Sequence, residues 1–330
     1  MNILISSIGE TPAVVTETVD ALKREEGITI DRVITIGTSE WSVELSQEAL
    51  HEEFQRLGIT YIPDGVEVQE LLSDGDHMNY LSRVATWLRI YQGDEVYLSL
   101  SGGRKTMSSL MTIAAQIYGV KMLCHVVPLD NELEQLGEVR RWSDLPREMQ
   151  QRVLHPTAEQ VQLVRLPIVS LFPLLDDFLR ALQGQADANP QAVELLKNSH
   201  LVEREGGQLK RTSSGEQLFS VLRDIAQLPP PSPQHLDQKR VTVHDHGYGG
   251  KHEKVRAFAG KLASFPWAVS VQTIPYGHKP RTGIREIHDD GRIELDVRTG
   301  EFSAGLEMRT TAQTRGQTER VGQELERFLR

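Results

Sequence analysis

Apolar positions in the first 130 residues follow two alternating rhythms. Short apolar runs at residues 2–6 (NILIS), 32–36 (RVITI), 59–62, 95–100 (EVYLSL) and 121–127 (KMLCHVV) are strand-length and rich in Val, Ile and Leu, so they read as buried strands. The intervening stretches carry helical spacing. Thr11-Pro12 supplies an N-cap and a first-position proline, and AVVTETVDALKREE runs to a stop at Gly27. Residues 42–57 place Val43, Leu45, Ala49, Leu50, Phe54 and Leu57 near one stripe, closed by Gly58. Residues 78–91 and 106–118 give two further helices. Strand and helix in alternation predict a Rossmann-like α/β fold, a parallel sheet covered on both faces and joined by right-handed crossovers.

The rhythm changes after residue 128. Residues 128–156 are polar, and 157–183 resume helical spacing around many leucines, broken by Pro167 and Pro173. Residues 189–227 predict helix, turn, two short strands and helix, the order of a winged helix. Four of the nine residues in 229–237 (PPPSPQHLD) are proline, which predicts an extended linker. Beyond it the expected order is strand (241–244), helix (253–263), four strands (268–274, 283–287, 292–297, 305–310) and a closing helix (317–329). The division follows: a sensor domain over 1–150, a winged-helix-like helical spacer over 157–228, the linker, and a small α+β effector over 238–330.

Charge sharpens this division. The net charge is −10, yet residues 238–330 hold 16 Lys and Arg against 12 Asp and Glu, and five of the eleven histidines. The first 237 residues hold 20 against 34. A basic tail on an acidic body fits an anionic partner, although an excess of this size also arises by chance. Cys124 is the only cysteine, which excludes an internal disulfide and a cysteine zinc site and fits a reducing cytoplasm. No apolar stretch of membrane-spanning length and no secretory leader is evident, so no membrane partner is expected.

Ligands of open parallel sheets bind beyond the carboxyl ends of the strands. Two loops stand there: Ser6-Ser7-Ile8-Gly9-Glu10-Thr11 after the first strand, and Ser99-Leu100-Ser101-Gly102-Gly103-Arg104-Lys105-Thr106 after the fourth. The glycines allow close backbone approach, the following helix starts favour an anion, and Arg104 and Lys105 add fixed positive charge. This is a phosphate-cradling composition, the alternative being a capped turn with surface cations. The second loop lacks the P-loop spacing, and the first does not match G-x-G-x-x-G, which disfavours nicotinamide cofactors. Thr38 and Ser39, at the end of the second strand, either line the same pocket or cap the next helix.

With TPAVVTETVDAL after the first strand and SGGRKTMS after the fourth, residues 1–150 resemble the CARF domain of type III CRISPR ancillary proteins. The resemblance implies a homodimer that binds one cyclic oligoadenylate across its two-fold axis, tetra-adenylate being the commoner ring. It assigns ligand contacts to Ser6, Ser7, Gly9, Glu10 and Thr11, and to Ser101, Gly102, Gly103, Arg104, Lys105 and Thr106. The ring would act as activator, with no other cofactor required. Winged-helix-like segments often follow such domains, but QAVELLKN at 191–198 is not a basic recognition helix, which favours a spacer.

The tail then becomes the candidate effector, and three chemistries compete. Asp289, Asp290, Glu294 and Asp296 could serve a metal-dependent nuclease, but no E-x-K or D-x-K accompanies them. An R-x-x-x-x-H ribonuclease motif is missing. His244, His246, His252 and Tyr248 form a polar cluster for which a metal site is disfavoured. The element order is similar to a RelE-type, metal-independent ribonuclease. Metal-free RNA cleavage needs a base, an acid and cations for the phosphorane. His278, Lys279, Arg281, Arg285, His288 and Arg309, with Tyr276, are the available groups. Arg285 is expected on one strand face with Gly283 and Ile287, where burial demands a partner. The expected activity is ring-activated cleavage of messenger RNA, on or off the ribosome. Two alternatives stay open: a DNA-binding regulator, and a ring nuclease using Ser7, Glu10 or Lys105.

Overall fold

The computed structural model describes residues 1–129, 145–185, 188–205, 208–232, 239–244, 248, 250–277 and 281–329. The chain forms two compact units, Met1–Leu222 and Arg223–Arg330.

The first unit is built on a six-stranded sheet in the order β3-β2-β1-β4-β5-β6. Its strands are β1 (Asn2–Ser7), β2 (Arg32–Thr38), β3 (Thr60–Val66), β4 (Glu95–Ser99), β5 (Met122–Pro128) and β6 (Val161–Leu166). The first five run parallel and β6 is antiparallel to β5. Helices α1 (Ala13–Glu26), α2 (Trp41–Leu57), α3 (Asp74–Ile90) and α4 (Lys105–Tyr118) are the crossovers. The Rossmann-like expectation holds. The sheet centre is dry: Ile3, Leu4, Ile5, Ile34, Ile36 and Leu98 are fully buried. That is why these strands read as unbroken apolar runs.

Three boundaries differ from the expected ones. Thr11 does not cap α1, which opens after Pro12 without a side-chain cap. Helix α3 starts four residues early, because the Ser73 hydroxyl accepts from the Asp76 N–H while Asp76 accepts from the Ser73 N–H. Residues 157–183 are not one helical stretch. Val161 and Leu163 are buried while Gln162 between them is exposed, an alternation that fits an edge strand paired on one side with β5. Helix α6 (Leu175–Leu182) begins only after Pro173.

Helix α5 (Arg147–Leu154) lies in the stretch expected to be irregular, and it is pinned to α1 and α2. The Thr16 hydroxyl donates to the Leu154 carbonyl at 2.6 Å. His155 contacts Asp20 Oδ2 through Nδ1 at 2.6 Å and Glu53 Oε1 through Nε2 at 2.9 Å. Burial opposes a charge on His155, but the two carboxylates outweigh it and raise its pKa. Burial also works against a charged Glu53, yet hydrogen bonds from Arg56, Gln151 and His155 hold its pKa down at about 2. Helix α7 (Pro190–Asn198), the hairpin of β7 (Val202–Glu205) and β8 (Gln208–Arg211), and α8 (Ser213–Ala226) then follow in the expected order. The boundary between the two units falls inside α8.

The second unit carries a five-stranded sheet in the order β11-β12-β13-β10-β9. Its elements are β9 (Arg240–Thr242), α9 (His252–Ala263), β10 (Ala268–Ile274), β11 (Gly283–Ile287), β12 (Arg292–Arg298), β13 (Ser303–Thr310) and α10 (Arg315–Leu329). Strand β9 pairs parallel with β10 and the other pairs are antiparallel. Ile293, Leu295, Val297, Leu306 and Met308 are fully buried on one face. The described part of the proline stretch is fastened to this unit. Trp267 Nε1 donates to the Pro229 carbonyl at 2.9 Å, and the Thr311 hydroxyl to that of Pro230 at 2.6 Å.

Candidate functional site

Strand β1 lies between β2 and β4, so the chain leaves β1 in one direction and returns on its other side at β4. The loops after β1 and β4 therefore part at the carboxyl edge and leave a crevice. There they touch. The Ser7 hydroxyl donates to the Gly102 carbonyl at 2.6 Å. A Cβ on Gly102 would lie 2.4 Å from the Ser7 carbonyl oxygen, so only glycine fits. Gly103 has φ +74°, which a side chain would strain. These two glycines are what let the loops close on one another.

The crevice holds a cavity of about 440 Å³, within the range of small-molecule sites. Of the expected ligand residues, Gly9, Glu10, Thr11, Thr38, Ser101, Gly102, Gly103 and Arg104 line it. Ser6 and Ser7 do not: both are buried, and Ser6 spends its hydroxyl on the Ser7 carbonyl at 2.9 Å. Ser39, Lys105 and Thr106 are exposed beside the lining. Ser101 is fixed by a hydroxyl chain. Thr18, Ser99 and Ser101 are linked at 3.1 Å each, and Ser101 accepts from the Val126 N–H at 2.8 Å.

Several wall residues were not foreseen. Val43, Met107 and Val126 make part of the wall apolar, while Glu17, Glu40 and His125 add titratable groups. Their only local signal was proximity to strand ends. Arg104, the one arginine in the lining among the described residues, is held by Glu70 at 2.8 Å, with Glu40 at 3.9 Å.

The expected tail residues fall differently. His278 and Lys279, like His246, lie outside the described residues. Arg281 is exposed. Arg285 and His288 are brought together, though not by the expected alternation. The register shifts between Ile284 and Glu286, a bulge that turns Ile284 and Ile287 toward Gly322 of α10 and frees Arg285 for the polar face. Arg285 pairs with Glu294 through Nε at 2.9 Å and through Nη2, and donates to the Pro275 carbonyl at 2.9 Å. His288 Nε2 is 3.1 Å from the other Glu294 oxygen. Burial favours the neutral acid at Glu294, but hydrogen bonds from Arg285 and His288 hold its pKa below the usual range. Arg292 bridges Asp290 at 2.7 Å and Glu307 at 3.3 Å. Register sets Arg309 opposite Arg292, exposed and without an ion pair among the described residues.

Among the described residues, Glu286, His288 and Glu294 are the set close enough to hold a metal ion, within 4.8 Å. Glu294 is already neutralised by Arg285, which disfavours a cation. Asp289 pairs with Arg315 and Asp290 with Arg292, while fully buried Asp296 accepts from the Gly277 N–H. They do not converge on that set. On α7, Lys197 is paired with Glu194 at 3.1 Å, so no basic recognition helix forms there. No helix among the described residues is long and apolar enough to cross a membrane.

The sequence matches the family described as CRISPR-associated protein NE0113 over residues 11–200, more than half of the chain. It is 26% identical over 164 residues to the CRISPR system ring nuclease SSO2081 of Saccharolobus solfataricus, covering 45% of this chain and 89% of that protein. Two looser likenesses are to solved structures. One is Enterococcus italicus Csm6 bound to cyclic hexa-2′-fluoro-hexa-dAMP (15% identity, TM-score 0.35, 68% of this chain), of which the chain spans about half, 54%. The other is Can2 from Sulfobacillus thermosulfidooxidans in complex with cyclic tetra-adenylate (11% identity, TM-score 0.29, 93% of this chain and 76% of that one). Superpositions this loose carry no functional argument.

Proposed function

Because the chain belongs to the CRISPR-associated NE0113 family, a CARF-domain ancillary protein of type III CRISPR systems, we propose that it is a cyclic-oligoadenylate-responsive effector that cleaves RNA. The observation that carries this reading is the switch-point cleft, where glycine loops, two helix starts and Arg104 converge. Arg104 and the first backbone amides of α4 suit a phosphate. The apolar wall of Val43, Met107 and Val126 suits a base. A ring of repeated phosphates matches two such clefts related by a two-fold axis, so the active form is a homodimer. Residues 157–228 serve as spacer and 238–330 as effector.

In the effector the polar sheet face supplies the chemistry. The substrate 2′-oxygen bonds to the adjacent phosphorus and gives up its proton to a base. The P–O5′ bond breaks and O5′ takes a proton from an acid, leaving a 2′,3′-cyclic phosphate. His288, oriented by Glu294, handles one of the two protons. Arg285 and Arg309 balance the charge of the phosphorane. Messenger RNA, on or off the ribosome, is the substrate.

The test is RNA cleavage in EDTA, with and without cyclic tetra- or hexa-adenylate, on free messenger and on translating ribosomes. Cleavage that requires a ring supports the reading. Intact RNA under all conditions, with the ring bound, contradicts the effector assignment.

The relationship to the ring nuclease favours a second reading, in which the cleft cleaves the ring it binds. Glu10 lines the cleft, whereas Ser7 would first have to release the Gly102 carbonyl. Loss of intact ring on incubation with the protein separates the two readings.

A further inference from the structure

We propose that Glu70 competes with the ligand's phosphate for Arg104 and so sets the charge a ligand must bring to occupy the cleft. The proposal rests on the reading of the cleft as a cyclic oligoadenylate site. Arg104 is the one arginine in the lining among the described residues, and its guanidinium already has a carboxylate partner: Nη2 lies 2.8 Å from Glu70 Oε1. Glu40, itself in the lining, stands 3.9 Å away as a second acid.

Glu70 is delivered from another crossover. It lies between β3 and α3, and the Ser39 N–H donates to the Val68 carbonyl at 2.9 Å, which ties that segment to the end of β2. The same α3 start is fixed by the Ser73–Asp76 capping box. The acid is therefore tied to the end of β2 on one side and runs into a capped helix start on the other.

The pair is also weak enough to exchange. The Arg104 and Glu70 side chains are 49% and 46% exposed, and ion pairs in that setting contribute little. A phosphate can take the guanidinium through two parallel hydrogen bonds and also meet the amides at the start of α4. A poorly charged ligand has no such advantage over Glu70. The contact acts as a threshold for entry.

The experiment is titration of cyclic tetra-adenylate and cyclic hexa-adenylate into wild type, Glu70→Gln, Arg104→Ala and the double variant, each checked for unchanged melting temperature. Glu70→Gln should bind more tightly, by about threefold to fivefold at low salt. The gain should shrink at 0.5 M salt and vanish on the Arg104→Ala background. Misfolding does not produce a gain in affinity. Wild-type binding with no gain in Glu70→Gln, or an equal gain without Arg104, overturns the proposal and leaves the cleft reading intact. No binding of either ring by wild type or Glu70→Gln overturns both.

Discussion

The Arg104 pair of the first unit sits on loops beyond the strand ends, beside a cavity. The Arg285 pair of the second unit sits on the strands themselves. Arg104 is carried by a glycine loop that the β1–β4 parting leaves open, so its partner Glu70 can be exchanged. Arg285 is gripped on the polar sheet face, forked onto Glu294 and donating to the Pro275 carbonyl. The cross-strand register sets Glu294 beside Glu307, two like charges that each need an arginine, Arg285 and Arg292. A loop pair half open to solvent can exchange its partner, as the proposed ligand site needs. A pair forked across strands holds its cation in place, as the proposed reaction centre needs.

The largest effect is expected at Gly102. Gly102→Ala would drive a Cβ against the Ser7 carbonyl at 2.4 Å, so we expect a stability loss of about 2 kcal/mol or more and loss of ring binding. The equivalent change at Gly260, inside α9 of the second unit, meets nothing within 4 Å. Gly260→Ala should stabilise by about 0.5–1 kcal/mol through helix propensity. Thermal melts of the two variants check the pair.

A second effect concerns the pinning of α5 in the first unit. His155→Ala leaves the carboxylate of buried Glu53 short of a partner and should cost about 1–3 kcal/mol. Its pH dependence has a definite sign. A raised histidine pKa contributes stability that is full below the ordinary value of 6.5 and is lost as pH rises through the folded value. The depressed Glu53 contributes stability above 4.5 that is lost as pH falls toward about 2. Wild type should therefore exceed His155→Ala most between about pH 4.5 and 6.5, and the gap should narrow on either side. Melting temperature across pH 4–9 measures it.

The smallest structural effect is expected on the polar face. Arg285→Ala should cost about 1 kcal/mol of stability, since the pair is partly solvated, yet lower ring-activated RNA cleavage at least about tenfold. Equal losses in stability and cleavage would reduce Arg285 to a structural role.

These two regions were unequally legible from sequence. The cleft could be found because S-G-G-R-K-T is contiguous and follows an apolar strand, so topology alone carries it to the crevice. Glu17 and His125 were missed because helix and strand geometry turns them inward, and Glu40 because only its nearness to the end of β2 marks it. Ser6 and Ser7 lie behind the cleft lining rather than in it. Their hydroxyls satisfy buried carbonyls, a demand of close packing that no motif announces. On the sheet face, the element order was correct, but the grouping of Arg285, His288 and Glu294 depends on register and on one bulge. A single bulge residue reverses the face on which Arg285 lies, and period-two reading cannot detect it. The leucine-rich 157–183 stretch misled for a related reason, because edge-strand alternation in VQLVRL mimics a helical stripe over six residues.

The central claim is that the first unit's cleft binds a cyclic oligoadenylate through Arg104. Titration of cyclic tetra-adenylate into wild type and Arg104→Ala at two salt concentrations tests it most directly. Saturable, salt-sensitive binding that weakens by about tenfold or more without the guanidinium is the expected result. Binding that is absent, or that is unchanged in Arg104→Ala, would contradict it.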